Sequence, residues 1–217
     1  QARMMMQQAI WAIIYDIATA DLDQYNDWFH HQHIAEKLAR PGYEWAAHYA
    51  GQNAELTRHI ALFGGASTKV FLDPSPAQLK PGQDDLTRQM IGLRQSPRAA
   101  ILTREWAELP QNGTRDDAGA ITASWLEILA IDAAGHDEAL GAWCVQNLGK
   151  HLGDSFDRLH KLISITSTPR HYIMLERPED KAQNHALDKI AADFATTLTP
   201  DNPVLNAYSA RRIWPPQ

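Results

Sequence analysis

Ten histidines stand in this 217-residue chain, three of them in the run His30-His31-Gln32-His33, and imidazole is the side chain best placed to move protons near neutral pH or to ligate a metal. At about 100° per helical residue, Leu22, Tyr25, Phe29 and His33 fall on one stripe. His31 falls nearly opposite His33, and His30 sits on a flank. An imidazole on an apolar face loses proton affinity, and a carboxylate neighbour restores it. His33 is therefore the leading candidate for a general base or acid. Tyr25, on the same stripe, and Tyr49 are the hydroxyls that would polarise a carbonyl or enolate oxygen. Beside this stands the plain reading, in which His33 bonds a backbone carbonyl within a core.

The run Glu44 to Ala50 has the alternation of a strand, with Trp45, Ala47 and Tyr49 on one face and Glu44, Ala46 and His48 on the other. A regular strand thus brings only one of Tyr49 and His48 to a given cavity. Tyr49 is preferred. His59 opens the next apolar run, and Trp11, Tyr15, Trp28, Trp45 and Phe63 supply an aromatic lining together with His48 and His59. The same aromatics at strand spacing also serve as core.

A metal reading would join His30 and His33, spaced i, i+3, with His48 or His59 and Glu36. No HExxH motif accompanies them, and the expectation is no metal and no cofactor. Gly64-Gly65-Ala66-Ser67-Thr68-Lys69 lacks the spacing of a phosphate loop, and GxSxG and GxGxxG are absent. Cys144, the only cysteine, reads as a small buried hydrophobe.

The elements that must position these residues occur twice in one order. Ala9 to Ile17 reads as a strand and Asp21 to Ala39 as a helix, opened by Asp21 with Gln24 three residues on as a capping box. Strands follow over Glu44–Ala50 and His59–Gly64, a helix over Asp84–Arg94 and a strand over Arg98–Trp106. Between them, the Gly64 to Asp85 segment reads as a lid, as a decoration that packs Phe71 outside, or as a hairpin extension. The polar stretch 107–120 reads as a linker. The second copy has strands over Ala123–Ile131, Arg158–Thr166, Arg170–Glu176 and Ala207–Trp214, with helices over Asp137–Leu152 and Glu179–Thr197. The domains are thus 1–106, carrying the candidate site, and 121–217, a degenerate repeat with Leu148 near the place of His33. The fold class is α+β: two fused ferredoxin-like β-α-β-β-α-β repeats whose open sheet faces close into a dimeric-type α/β barrel within one chain.

The run Asp21-Leu22-Asp23-Gln24-Tyr25-Asn26-Asp27-Trp28-Phe29-His30-His31-Gln32-His33-Ile34, then Pro41-Gly42-Tyr43 and His48-Tyr49, resembles the EthD-like branch of the dimeric α/β-barrel superfamily. The likeness covers residues 9 to about 63 well and is topological in the second half. It implies chemistry ranging from muconolactone isomerases and polyketide cyclases to monooxygenases and haem enzymes. Haem, with His33 or another histidine as axial ligand, enters only by that analogy. Ala47 and His48 stand where the family commonly carries basic residues.

Twenty Lys+Arg against 26 Asp+Glu leave a net charge of −6, which argues against nucleic acid or an anionic membrane surface as partner. No apolar run approaches the roughly 20 residues of a membrane-spanning helix. One cysteine leads to the expectation of a cytoplasmic protein. The preferred reading is a cofactor-independent isomerase, cyclase or lyase acting on a hydrophobic, aromatic or polyketide-like molecule inside the barrel. The alternatives are a non-catalytic ligand-binding protein and a metal or haem enzyme. Pairing of two barrels through outer surfaces as a homodimer stays open.

Overall fold

The computed structural model describes residues 8–52, 55–110, 119–179, 186–198 and 204–216. The chain divides into two compact units, residues 1–103 with 212–217, and residues 104–211. Hydrogen-bonded strands β1 (Ala9–Ala18), β3 (Leu56–Gly65), β2 (Tyr43–Gln52), β8 (Val204–Trp214), β5 (Trp125–Asp132), β7 (His171–Arg177), β6 (Arg158–Ser164) and β4 (Gln95–Glu108) follow one another in that order, which closes on itself as an eight-stranded barrel.

In the first unit β1 (Ala9–Ala18) is central, pairing antiparallel with β3 (Leu56–Gly65) and with β4 (Gln95–Glu108), and β3 pairs antiparallel with β2 (Tyr43–Gln52). The run AIWAIIYDIA is β-branched and aromatic enough to be buried on both faces. Odd-numbered residues of β1 (Trp11, Ile13, Tyr15, Ile17) pack with Ala61, Phe63 and Ile101 against helical Tyr25, Trp28, Phe29 and Ile34. The even-numbered Ile10, Ala12 and Ile14 fill the other face with Ile60 and Leu62.

The expected helix over 21–39 forms with an irregularity. It comprises α1 (Leu22–Trp28), a π-helical turn over Phe29–His33 and α2 (Ile34–Leu38). An uninterrupted α-helix would turn Ile34 about 180° away from Tyr25. The wider π turn brings it back, so that Ile34 and Lys37 are buried along with Tyr25, Phe29 and His33. The capping box at Asp21 does not form: the Asp21 side chain caps no backbone N–H, and Gln24 Nε2 donates to Asp21 Oδ1 at 3.0 Å.

The Gly64 to Asp85 segment is neither bare loop nor hairpin. It contains α3 (Lys69–Leu72), α4 (Pro76–Leu79) with a complete Ser75/Gln78 capping box, and a 3-10 turn over Lys80–Gly82. Phe71 is fully buried, its ring centroid 5.0 Å from that of Tyr43. Asp84 then caps α5 (Asp85–Ile91) through the Thr87 N–H at 2.7 Å.

The second unit repeats the plan. β5 (Trp125–Asp132) pairs antiparallel with β7 (His171–Arg177) and β8 (Val204–Trp214), and β7 pairs with β6 (Arg158–Ser164). Helices α6 (Asp137–Leu152) and α7 (Ala186–Leu198) bury Leu140, Trp143, Cys144, Leu148 and Phe194 against it. The last helix, expected from Glu179, and the stretch expected as a linker fall partly outside the described residues, at 180–185 and 111–118. Strand β4 runs to Glu108, two residues beyond its expected end.

Candidate functional site

Alternation along β2 sorts the candidate residues onto two faces. His48 turns toward the helix, its ring 4.5 Å from that of Phe29, so Tyr49 points the other way. Tyr49 and Trp45 pair across β2–β3 with Ile60 and Gly64. Trp45 lies flat on Gly64, where an added Cβ would come within 1.9 Å of the indole. This corrects the expectation that Tyr49 joins His33: a sheet separates them. His33, Tyr25, Trp11, Tyr15, Trp28, His48, His59 and Phe63 all lie on the helix side.

Six of the helix-side polar groups form one buried network. Arg94 Nε donates to Tyr25 Oη at 2.9 Å, Tyr25 donates to Tyr15 Oη at 2.6 Å, and Tyr15 Oη lies 3.3 Å from His48 Nε2. His48 Nε2 is also 2.8 Å from His59 Nδ1, and His48 Nδ1 is 2.8 Å from His30 Nε2. A guanidinium only donates, so the Tyr25 proton goes to Tyr15 and the Tyr15 proton to His48 Nε2. His48 then carries its own proton on Nδ1 and gives it to His30. His48 Nε2 has one lone pair, which the Tyr15 hydroxyl and the His59 Nδ1–H share, and His59 Nε2 is buried without a hydrogen-bond partner among the described residues. The Arg94 guanidinium stands 4.6 Å over the Tyr15 ring.

Burial is the leading cause of every histidine shift here. His48 is held well below the ordinary imidazole range, and His30 and His59 are brought down to about 4, so all three are neutral at pH 7. Burial likewise pushes both tyrosine hydroxyls up. The network is a fixed chain of donors and acceptors.

His33 stands apart from this chain. Its ring stacks on Trp28 at 4.5 Å, and among the described residues its buried Nδ1 has no hydrogen-bond partner and the nearest carboxylate oxygen, on Glu36, is 3.9 Å away. It lines a half-open cleft of about 390 Å³ with Glu36, Lys37 and Arg40 on one wall and Gln83 and Asp84 on the other. Burial, then repulsion from Arg94, Lys37 and Arg40, depresses His33 to about 3. Its imidazole is therefore a hydrogen-bonding group rather than a strong base.

Lys37 and Arg40 were not among the residues expected from the sequence. Lys37 is only 6% exposed. Its Nζ stands 5.1 Å over the Trp11 ring, with no hydrogen bond or ion pair among the described residues. Burial, then repulsion from Arg40 and Arg94, lowers its ammonium to about 8. Arg40 Nε is likewise buried and unpartnered. One signal for them existed: Lys37 and Arg40 continue from His33 at four and seven residues. In a regular helix, however, Lys37 would sit about 120° from Tyr25, and only the π turn brings it inward.

The metal grouping does not assemble. His30 bonds His48 while His33 faces the cleft, and among the described residues no group of three or more His, Cys, Asp or Glu is arranged to hold a metal ion. Haem does not fit around His33 either. The walls there are charged Glu36, Lys37, Arg40 and Asp84, not the apolar slot a flat macrocycle requires. Burial pushes the Cys144 thiol up to about 12, leaving it an unreactive hydrophobe.

No protein-family model matches the chain, and no curated protein matches it. Solved structures do. A candidate chlorite dismutase superposes with a TM-score of 0.61 at 12% identity over 96% of both chains. A candidate monooxygenase from Fusobacterium nucleatum subsp. nucleatum does so at 0.58 and 6%, over 95% of this chain and 91% of that one. An anthrone oxidase-like protein gives 0.57 and 11%, over 95% and 93%. At such identities the likeness is one of fold, and the fold is the ferredoxin-like α/β barrel. No helix among the described residues is long and apolar enough to cross a membrane.

Proposed function

We propose that the protein is a cofactor-independent enzyme that moves a proton on a small carbonyl compound bound in the cleft of His33, Lys37 and Arg40. The observation that carries this reading is Lys37. It is a nearly buried amine with no carboxylate partner among the described residues, and its proton affinity is brought to about 8 beside a half-open cleft. In this reading the neutral Lys37 amine takes a proton from the carbon next to the carbonyl. The electron pair moves onto the carbonyl oxygen, the Arg40 guanidinium holds the resulting enolate, and the Lys37 ammonium returns the proton. His33, stacked on Trp28, orients the substrate from the wall of the cleft.

Proton removal of this kind is the shared first step of isomerases, cyclases and lyases. The fold neighbours, a candidate monooxygenase and an anthrone oxidase-like protein, favour a second reading in which the carbanion goes on to react with dioxygen. Membership in the EthD-like branch and a tandem duplication with domains 1–106 and 121–217 belong to the same proposal. The shared strand–helix order of the two units supports the duplication.

The test is hydrogen–deuterium exchange at the α-carbon of small cyclic ketones and 1,3-diketones in D2O, followed by NMR without added metal or cofactor. The wild type accelerates exchange, and Lys37→Met lowers the rate by about two to four orders of magnitude. Binding without any exchange would instead identify a ligand-binding protein, and exchange unaffected by Lys37→Met would move the chemistry elsewhere.

A further inference from the structure

Resting on the cleft as the site, we infer that its ligand carries a carboxylate, which Arg40 and Lys37 receive together. The four charged groups at the cleft are unequally satisfied. Asp84 accepts the Thr87 N–H and Gln32 Nε2 through its two oxygens, and Glu36 Oε1 accepts the other Gln32 hydrogen at 3.1 Å. Glu36 is exposed. The two cations have nothing comparable. Neither Lys37 nor Arg40 has a carboxylate within ion-pair distance among the described residues, although Lys37 is more than nine-tenths buried and the Arg40 Nε is inaccessible to solvent.

A buried ammonium and a half-buried guanidinium without counterions are destabilising unless something else neutralises them. Here the open side of both is the cleft. Residues 33, 37 and 40 lie on one stripe of the helix, so an anion entering there meets Arg40, Lys37 and His33 in succession. A planar carboxylate suits the guanidinium fork, and Leu79 on the facing wall gives the organic part of the ligand an apolar contact. In a keto acid, one oxygen of the carboxylate and the carbonyl oxygen lie close enough for both to face the same cation. The class implied for the substrate is therefore a carbonyl compound bearing a carboxylate.

A carboxylate beside Lys37 also favours its charged form, so binding takes up protons around pH 8 and weakens as pH rises through that value, whereas the neutral amine that removes the substrate proton is the main form only above it. The other charged or titratable groups around Lys37 are Glu36 on its own helix, Arg40 and His33 beside it, Asp84 across the cleft, and Arg94, which stands 5.9 Å over the Phe29 ring.

The test is calorimetric or NMR titration of the intact protein with benzoate, benzamide and inorganic phosphate. Benzoate is expected to bind at one site, more tightly at pH 7 than at pH 9, with affinity falling about tenfold or more in Lys37→Met and in Arg40→Met. Lys37→Arg, which keeps the charge, is expected to retain most of the binding, and thermal melting verifies that each variant is folded. Benzamide binding as well as benzoate, phosphate binding more tightly than benzoate, or benzoate binding untouched by both Met variants would each overturn the inference. Ketone exchange that persists while benzoate fails to bind would overturn the carboxylate alone and leave the proton-transfer reading standing. Benzoate binding with no exchange would do the reverse.

Discussion

Lys37 holds its amine 5.1 Å above the indole of Trp11 with no carboxylate among the described residues to pair it. A lysine used only for solubility would extend into water. This one is folded back by the π turn at Phe29–His33 onto the same face as His33.

Removing that amine should make the protein more stable, because an unpaired ammonium in a buried place opposes folding. Lys37→Met is expected to melt at or above the wild-type temperature at pH 7 while losing activity. A marked fall in melting temperature would assign Lys37 a structural role. The sign with pH follows from a folded-state value below the unfolded one. Between about 8 and the ordinary lysine range the unfolded chain binds more protons, so wild-type stability from this group rises as pH rises through that window. Lys37→Met should lack that rise.

Acid should act through the histidines. His30 and His59 at about 4, and His48 lower than its ordinary value, are neutral in the folded protein, whereas the unfolded chain protonates them near pH 6.5. Stability is therefore full above that pH and is lost as pH falls toward about 4. Chemical denaturation at pH 7, 6, 5 and 4 should show a steady decline. A flat profile over that range would mean that the three rings are not buried together.

The folding pattern was largely legible, because hydrophobic periodicity survives in single elements. Ala9–Ile17, Asp137–Leu152 and the closing strand fall within a few residues of their expected bounds, and the order of two β-α-β-β-α-β units follows from them. The site was less so. The stripe from Tyr25 to His33 assumed a uniform 100° step, and nothing in the residue types announces a π turn that brings Lys37 inward. Preferring Tyr49 over His48 places the site on the sheet face away from the helices, whereas His33 and its cleft lie on the helix side. Helices cover one face, and the helix residues meet His48, His59 and Tyr15 there. Arg94, which sets the direction of the hydrogen-bond chain, arrives from the turn after α5, 69 residues from its partner Tyr25, a contact no local pattern encodes.

Tyr15 and His48 should be energetically coupled. Tyr15→Phe leaves the Tyr25 proton without its acceptor and His48 without one donor, and is expected to lower stability by about 1–3 kcal/mol. His48→Phe should have a similar effect, and the double variant should fall short of the sum. A double-mutant cycle by urea denaturation measures this. Strict additivity would show that the 3.3 Å contact contributes nothing.

Gly64 is required by Trp45. With only 1.9 Å between an added Cβ and the indole, Gly64→Ala must displace either the ring or the strand, an overpacking effect of about 1–3 kcal/mol. Trp45→Ala in the same chain should relieve most of that loss. If the two losses simply add, the indole does not rest on this glycine.

The most direct test of the account is titration of the Lys37 amine itself, by NMR of protein carrying isotope-labelled lysine and assigned through Lys37→Arg. One lysine resonance with a midpoint at about 8, absent from the variant, is the predicted result. A Lys37 that titrates with the other lysines near 10.4 would mean an amine in water, and the cleft would lose the group that performs its chemistry.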